Sequence, residues 1–158
     1  MNTPEAQLAG FLAKYTPEVA ARAEAILGRM RALLPNAVEL VYDNYNALAS
    51  GFGPDEKVSH AIFSIAVFPR WVSLFFLQAK GLDDPAKLLK GGGNVVRHIV
   101  LEDERRLDDP AIRALMDQAL RNAVVPLDPS AARRLVIRSV SAKQRPRRPP
   151  PKKPAGRK

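Results

Sequence analysis

An α+β two-layer sandwich, with a mainly antiparallel sheet and helices packed on one face, is the fold this sequence predicts. Three observations carry it. The hydrophobic period is 3.6 residues from Val19 to Leu34 and changes to two from Val38 onward. The strand-like segments after Val38 follow one another through short turns, which makes neighbours antiparallel. Between Val58 and Leu77 the chain holds four of its six phenylalanines and its only tryptophan, an enrichment that suits a pleated, half-buried surface.

The elements follow in order. Thr3-Pro4-Glu5 opens a first helix with an N-cap hydroxyl, a proline at N1 and an acid in the first turn. Thr16-Pro17-Glu18 repeats the signal, and Val19, Ala23, Ile26, Leu27, Met30 and Leu34 then line one helix face until Pro35-Asn36 ends it. Strands are expected at 38–45 and 47–52. A hairpin of Ala61–Phe68 and Trp71–Leu77 turns at Pro69-Arg70, because proline cannot donate to a ladder and belongs at the turn. Both hairpin faces are largely apolar, which predicts a central position in the sheet. Asp84-Pro85 predicts a helix of one to two turns through Leu89, broken by Gly91-Gly92-Gly93. Val95–Leu101 reads as a strand, and Asp109-Pro110 caps a last helix lined by Ile112, Leu115, Met116 and Ala119. The expected order is α-α-β-β-β-β-α-β-α.

Charge divides the chain. Residues 1–125 carry 14 Lys/Arg against 15 Asp/Glu, whereas residues 126–158 carry 11 against one, Asp128. The expected organisation is an α+β domain over 1–125, an extension over 126–138 that docks through Leu135-Val136-Ile137, and a disordered Pro/Lys/Arg-rich tail over 139–158. A domain of about 120 residues buries roughly two-thirds of its unfolded surface and folds without staples. Cysteine is absent, which excludes disulfides and thiolate metal sites and fits a reducing, cytoplasmic setting. The N-terminus lacks a basic segment followed by an apolar run, so no secretory signal is read, and no apolar stretch approaches the ~20 residues that span a bilayer.

Several segments together resemble the YdhG-like family of small bacterial domains: Tyr42-Asp43-Asn44-Tyr45-Asn46-Ala47-Leu48, the hairpin from Ala61 to Leu77, Leu88 through Gly93, Val96-Arg97-His98-Ile99, Leu107-Asp108-Asp109-Pro110, and Arg134 to Arg148. The resemblance covers about residues 20–148. It implies an α+β fold with a twisted antiparallel sheet. One branch of that family is similar to frataxin and implies an iron chaperone for cofactor assembly. The sequence departs from that branch, for frataxins present a dense acidic ridge, while here Glu18 and Glu24 stand isolated among Arg22, Arg29 and Arg31.

Two sets of side chains are candidates for binding. Tyr42, Asp43, Tyr45, Arg70, Trp71, Arg97 and His98 are the polar and aromatic groups nearest the sheet. They could line a pocket in which aromatic walls hold a small ligand and polar groups orient it; the plainer account makes Tyr42 and Trp71 core-edge residues. His98 could be a ligand or base, or a core histidine with one hydrogen bond. The second set is Lys143, Arg145, Arg147, Arg148, Lys152 and Lys153, which would attract phosphates by counterion release; the plainer account is a solubilising extension. The tail has no aromatic residue, so a free tail would bind without base stacking.

Other motifs yield less. Lys90-Gly91-Gly92-Gly93 follows a helix-like segment, opens a strand and lacks the Lys-Ser/Thr of a phosphate loop. Ser59, Ser64 and Ser73 have no nucleophile elbow around them. Two histidines 38 residues apart, without ligand spacing, make a poor metal signature. The expectation is a non-enzymatic YdhG-like binding domain without a cofactor, holding a small ligand or protein partner, with iron-chaperone-like delivery as what the frataxin-like branch of the resemblance implies. The alternative is a nucleic-acid-associated accessory protein that binds phosphates through its basic tail.

Overall fold

The change of period at Val38 marks the passage from two helices into a sheet. The computed structural model describes residues 2–150. Helix α1 (Pro4–Leu12) and helix α2 (Pro17–Leu33) start where the Thr-Pro-Glu pairs place them. Thr3 Oγ1 accepts from the Ala6 amide at 3.1 Å, and Thr16 Oγ1 from the Val19 amide at 3.3 Å. Strands β1 (Val38–Asp43), β2 (Leu48–Gly53), β3 (Phe63–Val67), β4 (Val72–Phe76) and β5 (Arg97–Leu101) precede helix α3 (Pro110–Arg121), and strand β6 (Arg134–Val140) closes the order. Asp109 caps α3 through its carboxylate, as its Asp-Pro pair predicts. Among the described residues no helix is long and apolar enough to cross a membrane.

The six strands lie in the order β5-β4-β3-β2-β1-β6. The predicted hairpin is β3–β4, it is interior, and Phe63 stands opposite Phe76 across it. All pairs are antiparallel except β1–β6, which is parallel and carries a bulge between Val41 and Tyr42. A parallel neighbour needs a long crossover. The chain supplies one through α3 and the loop that follows, where Asn36 Nδ2 donates to the Ala131 carbonyl at 2.7 Å. The apolar run Leu135–Ile137 does dock, as an edge strand.

One sheet face meets the helices. Phe63, Ile65, Val72, Leu74 and Phe76 are fully buried there with Ile26, Met30 and Leu115, and the two phenylalanine rings meet edge to face at 5.5 Å. The other face carries Ala49, Gly51, Ser64, Ala66 and Ser73 along the middle strands. At Gly53 a Cβ would stand 2.9 Å from the Ala61 Cα, so the β2–β3 connection closes only over glycine.

Two expectations are corrected. The helix expected over 84–89 is a turn. Both carboxylate oxygens of Asp84 accept amides, from Leu88 and Leu89 at 2.9 Å, and Lys87 takes a left-handed φ of 54°. Aspartate's competition for nearby amides has displaced the helical ladder there. The order therefore loses that helix and gains β6, becoming α-α-β-β-β-β-β-α-β. The second correction concerns the tail. Disorder is expected from residue 139; Ser139 and Val140 instead end β6, and residues 141–150 lie against the end of the sheet, tied to it by hydrogen bonds. Residues 151–158, with Lys152 and Lys153, lie outside the described residues.

Candidate ligand-binding groove

Strand β1 ends at Asp43, whose side chain is wholly buried beneath the start of the tail. A buried carboxylate needs opposite charge and donors. Lys14, just past α1, places Nζ 2.5 Å from Oδ2, and Arg147 places Nη2 2.8 Å from Oδ1. Arg147 is itself only 5 % exposed. Its guanidinium also donates to the carbonyls of Asn44 and Tyr45 and lies 5.8 Å from the Tyr15 ring centre. Tyr15 is fixed in turn, donating to the Val67 carbonyl at 2.7 Å and accepting from the Leu48 amide. Burial alone would raise the Asp43 carboxyl, but the donors Lys14, Gln144 and Arg147 outweigh it and hold the group below the ordinary carboxylate range. Burial pushes the Tyr15 hydroxyl up.

Residues 141–148 of the tail are bound as a strap. The Ser141 amide donates to the Asp43 carbonyl at 2.9 Å and the Arg145 amide to the Tyr45 carbonyl at 2.8 Å. Gln144 donates to the Asp43 carbonyl and accepts from Lys14 Nζ. Arg148 Nε donates to the Lys14 carbonyl at 3.2 Å. An arginine-rich segment has little apolar surface to bury, and it docks because one of its arginines pairs with a carboxylate that the sheet has already desolvated.

Docking the strap builds a groove. Across the end of the β3–β4 hairpin the Phe68 and Trp71 rings stack at 4.7 Å with 19° between their planes. Facing them are Arg145, Pro146, Arg148 and Pro149, with Arg70 at the turn. The groove holds about 630 Å³, and no acidic residue lines it among the described residues. Trp71 remains 42 % exposed. Past Pro69, Arg70 and Pro149 a second hollow continues toward Thr16 and Pro17 at the start of α2. Its one acid, Glu18, pairs with Arg22 at 3.4 Å. Arg70 and Arg145 make no side-chain hydrogen bond or ion pair with another described residue, and Arg148 uses only Nε.

The two predicted sets of residues are thereby redistributed. Arg70 and Trp71 from the first set meet Arg145 and Arg148 from the second in one groove. Asp43 is paired with both Arg147 and Lys14, so its carboxylate and the Arg147 guanidinium are engaged with each other rather than with a ligand. Tyr45 is exposed at the β1–β2 turn and contributes its carbonyl to the strap. Tyr42 lies on the opposite sheet face from Asp43, its hydroxyl buried with no hydrogen-bond partner among the described residues. Arg97 and His98 pair with the far end of β4 from Trp71. There Arg97 donates to the Gly93 carbonyl at 2.7 Å, and the His98 ring packs on Phe75 at 5.1 Å. Lys143 is exposed on the strap. The seven residues expected to share one pocket thus lie at separate places.

Sequence reasoning missed Phe68, Lys14 and Gln144. Phe68 had a signal, for a two-residue turn at Pro69-Arg70 puts it opposite Trp71. It also missed a second buried carboxylate on the same strand face, Glu39, which Arg31 of α2 meets through two nitrogens at 2.8 and 3.0 Å and Ser50 through its hydroxyl. The hydrogen bond to Glu39 raises the Arg31 guanidinium further. Among the described residues no group of three or more His, Asp or Glu side chains converges to hold a metal ion. No family model, curated protein or solved structure matches this chain.

Proposed function

We propose that this chain is a non-enzymatic, cytoplasmic binding domain whose ligand is a small anionic molecule held in the groove between the Pro69-Arg70 turn and the strap. One observation carries the reading: Arg70, Arg145 and Arg148 converge on a groove that also contains the Phe68–Trp71 stack and, among the described residues, no carboxylate. Guanidinium groups suit phosphate and carboxylate because their planar forks donate in parallel pairs. Cations beside apolar rings hold an anion better than cations in open water, since the local dielectric is lower. The resemblance to YdhG-like domains agrees with a binding role. Iron delivery, which one branch of that family implies, calls for a cluster of carboxylates, and Glu18 is instead paired with Arg22.

The reading of the tail as a free polycation draws support from the ten-charge excess of residues 126–158. Within the described part, though, Arg147 is neutralised by Asp43, and Arg134 and Arg138 face Glu56. Calorimetric titration with tripolyphosphate at about 50 mM salt tests the groove. One site per chain is expected, lost in the Arg145→Ala/Arg148→Ala variant. Equal affinity in that variant overturns the proposal.

A further inference from the structure

We infer that the groove takes single-stranded nucleic acid, stacking a base on Trp71 while Arg70, Arg145 and Arg148 hold the neighbouring phosphates. This rests on the anion groove proposed above and names its ligand.

Phe68 covers the indole with nearly parallel rings, which fixes the plane of Trp71, and 42 % of the residue stays exposed. A preset aromatic plane beside cations is the arrangement by which proteins hold unpaired bases, and it tolerates any sequence because every base has a π face. The arginines alone would accept any polyanion; the ring selects an anion that carries a flat heterocycle. Length separates a strand from a free nucleotide. The groove is open, and it runs past Arg70 and Pro149 into the hollow at Thr16–Pro17, so both hollows share the same arginine. A strand stacked on Trp71 can continue past Arg70 into the second hollow, where a mononucleotide would end. A duplex keeps its bases stacked on one another and has none to offer Trp71.

Charge adds a second, independent argument. Of the strap's described cations Arg147 is paired with Asp43, while Arg145 and Arg148 line the groove with Arg70, so docking the strap brings positive potential beside the exposed ring. A polyanion is steered to that end. The docked strap also departs from a free polycation in a measurable way. Phosphate contacts from these three arginines give a slope of log K against log salt of about −2 on single strands.

Trp71 is the only tryptophan, so its fluorescence reports this groove alone. The full chain is titrated with an eight-residue oligothymidylate, the matching duplex, thymidine monophosphate and tripolyphosphate, following tryptophan emission and the anisotropy of labelled oligomer. The oligomer is expected to quench Trp71 and bind more tightly than duplex or mononucleotide. Trp71→Ala should weaken the oligomer roughly tenfold or more, as loss of one base stack does, and weaken tripolyphosphate, followed by calorimetry, by a clearly smaller factor. Trp71→Phe, which keeps a ring, should retain most of the affinity and guards against a folding defect in the alanine variant. If Trp71→Ala leaves oligomer affinity unchanged, or duplex binds as well as single strand, the inference is overturned while the anion groove stands. Mononucleotide binding as tight as the oligomer also overturns it, in favour of a free nucleotide. Failure of both tripolyphosphate and oligomer to bind overturns the anion groove as well.

Discussion

Arg147 and Asp43 are 104 residues apart in the chain and 2.8 Å apart in space, both buried. This contact converts a basic tail into a wall of the binding groove. It also makes the tail part of the folded core in energetic terms. Removing one partner of a buried ion pair typically costs about 3–5 kcal/mol, because the other charge stays desolvated. Arg147→Ala should therefore lower unfolding free energy by about 3 kcal/mol, with Lys14 left as partial compensation for Asp43. Arg145→Ala, at an exposed position, should change it by less than about 0.5 kcal/mol. Urea denaturation of the two variants checks the difference; equal effects would mean the strap does not depend on Arg147.

The same carboxylate sets a pH dependence. Asp43 titrates below its ordinary value in the folded chain, so near pH 4 the unfolded chain binds more protons at this group than the folded chain does. Its contribution to stability is present above about pH 4, the unfolded value, and is lost as pH falls through the lower folded value. Asp43→Asn should flatten that limb of the curve. Unfolding free energy measured from pH 6 down to pH 2.5 tests this, and a wild-type limb as steep in the variant would contradict it.

In the core, Phe63→Ala and Phe76→Ala should each cost about 3–5 kcal/mol, since both rings are fully buried and leave cavities. Their edge-to-face contact at 5.5 Å should appear as a coupling of about 0.5–1.5 kcal/mol in a double-mutant cycle. Strictly additive effects would show that the rings act only by their separate burial.

Chain truncation after Val140 gives a further test. It removes Gln144 and Arg147 from Asp43, so the melting temperature should fall by several degrees. An unchanged melting temperature would mean that the strap contributes nothing to the folded state.

The helices and the central hairpin were legible because their signals are local. Thr-Pro-Glu starts, the stripe from Val19 to Met30 and the proline between Phe68 and Arg70 each act within a few residues. The turn at Asp84 was misread because the same Asp-Pro pair serves a helix cap or a local turn, and Lys87's left-handed backbone decides between them. The strap was illegible for a different reason. Residues 141–150 carry no apolar period, and the force that docks Arg147 lies in Asp43, whose burial depends on the packing of Lys14, Tyr15 and β1. The candidate groove was half legible: Arg70, Trp71, Arg145 and Arg148 were each singled out, but nothing local shows that a strap would bring the two pairs together.

The central claim is that the strap and the hairpin turn form one anion site, and Arg147→Ala tests it most directly, because Arg147 does not line the groove yet anchors its wall. Tripolyphosphate affinity is measured by Trp71 fluorescence in the wild type and in this variant, with circular dichroism confirming that the variant is folded. The account predicts a loss of roughly tenfold or more in the variant. Wild-type affinity in a folded Arg147→Ala chain would contradict it.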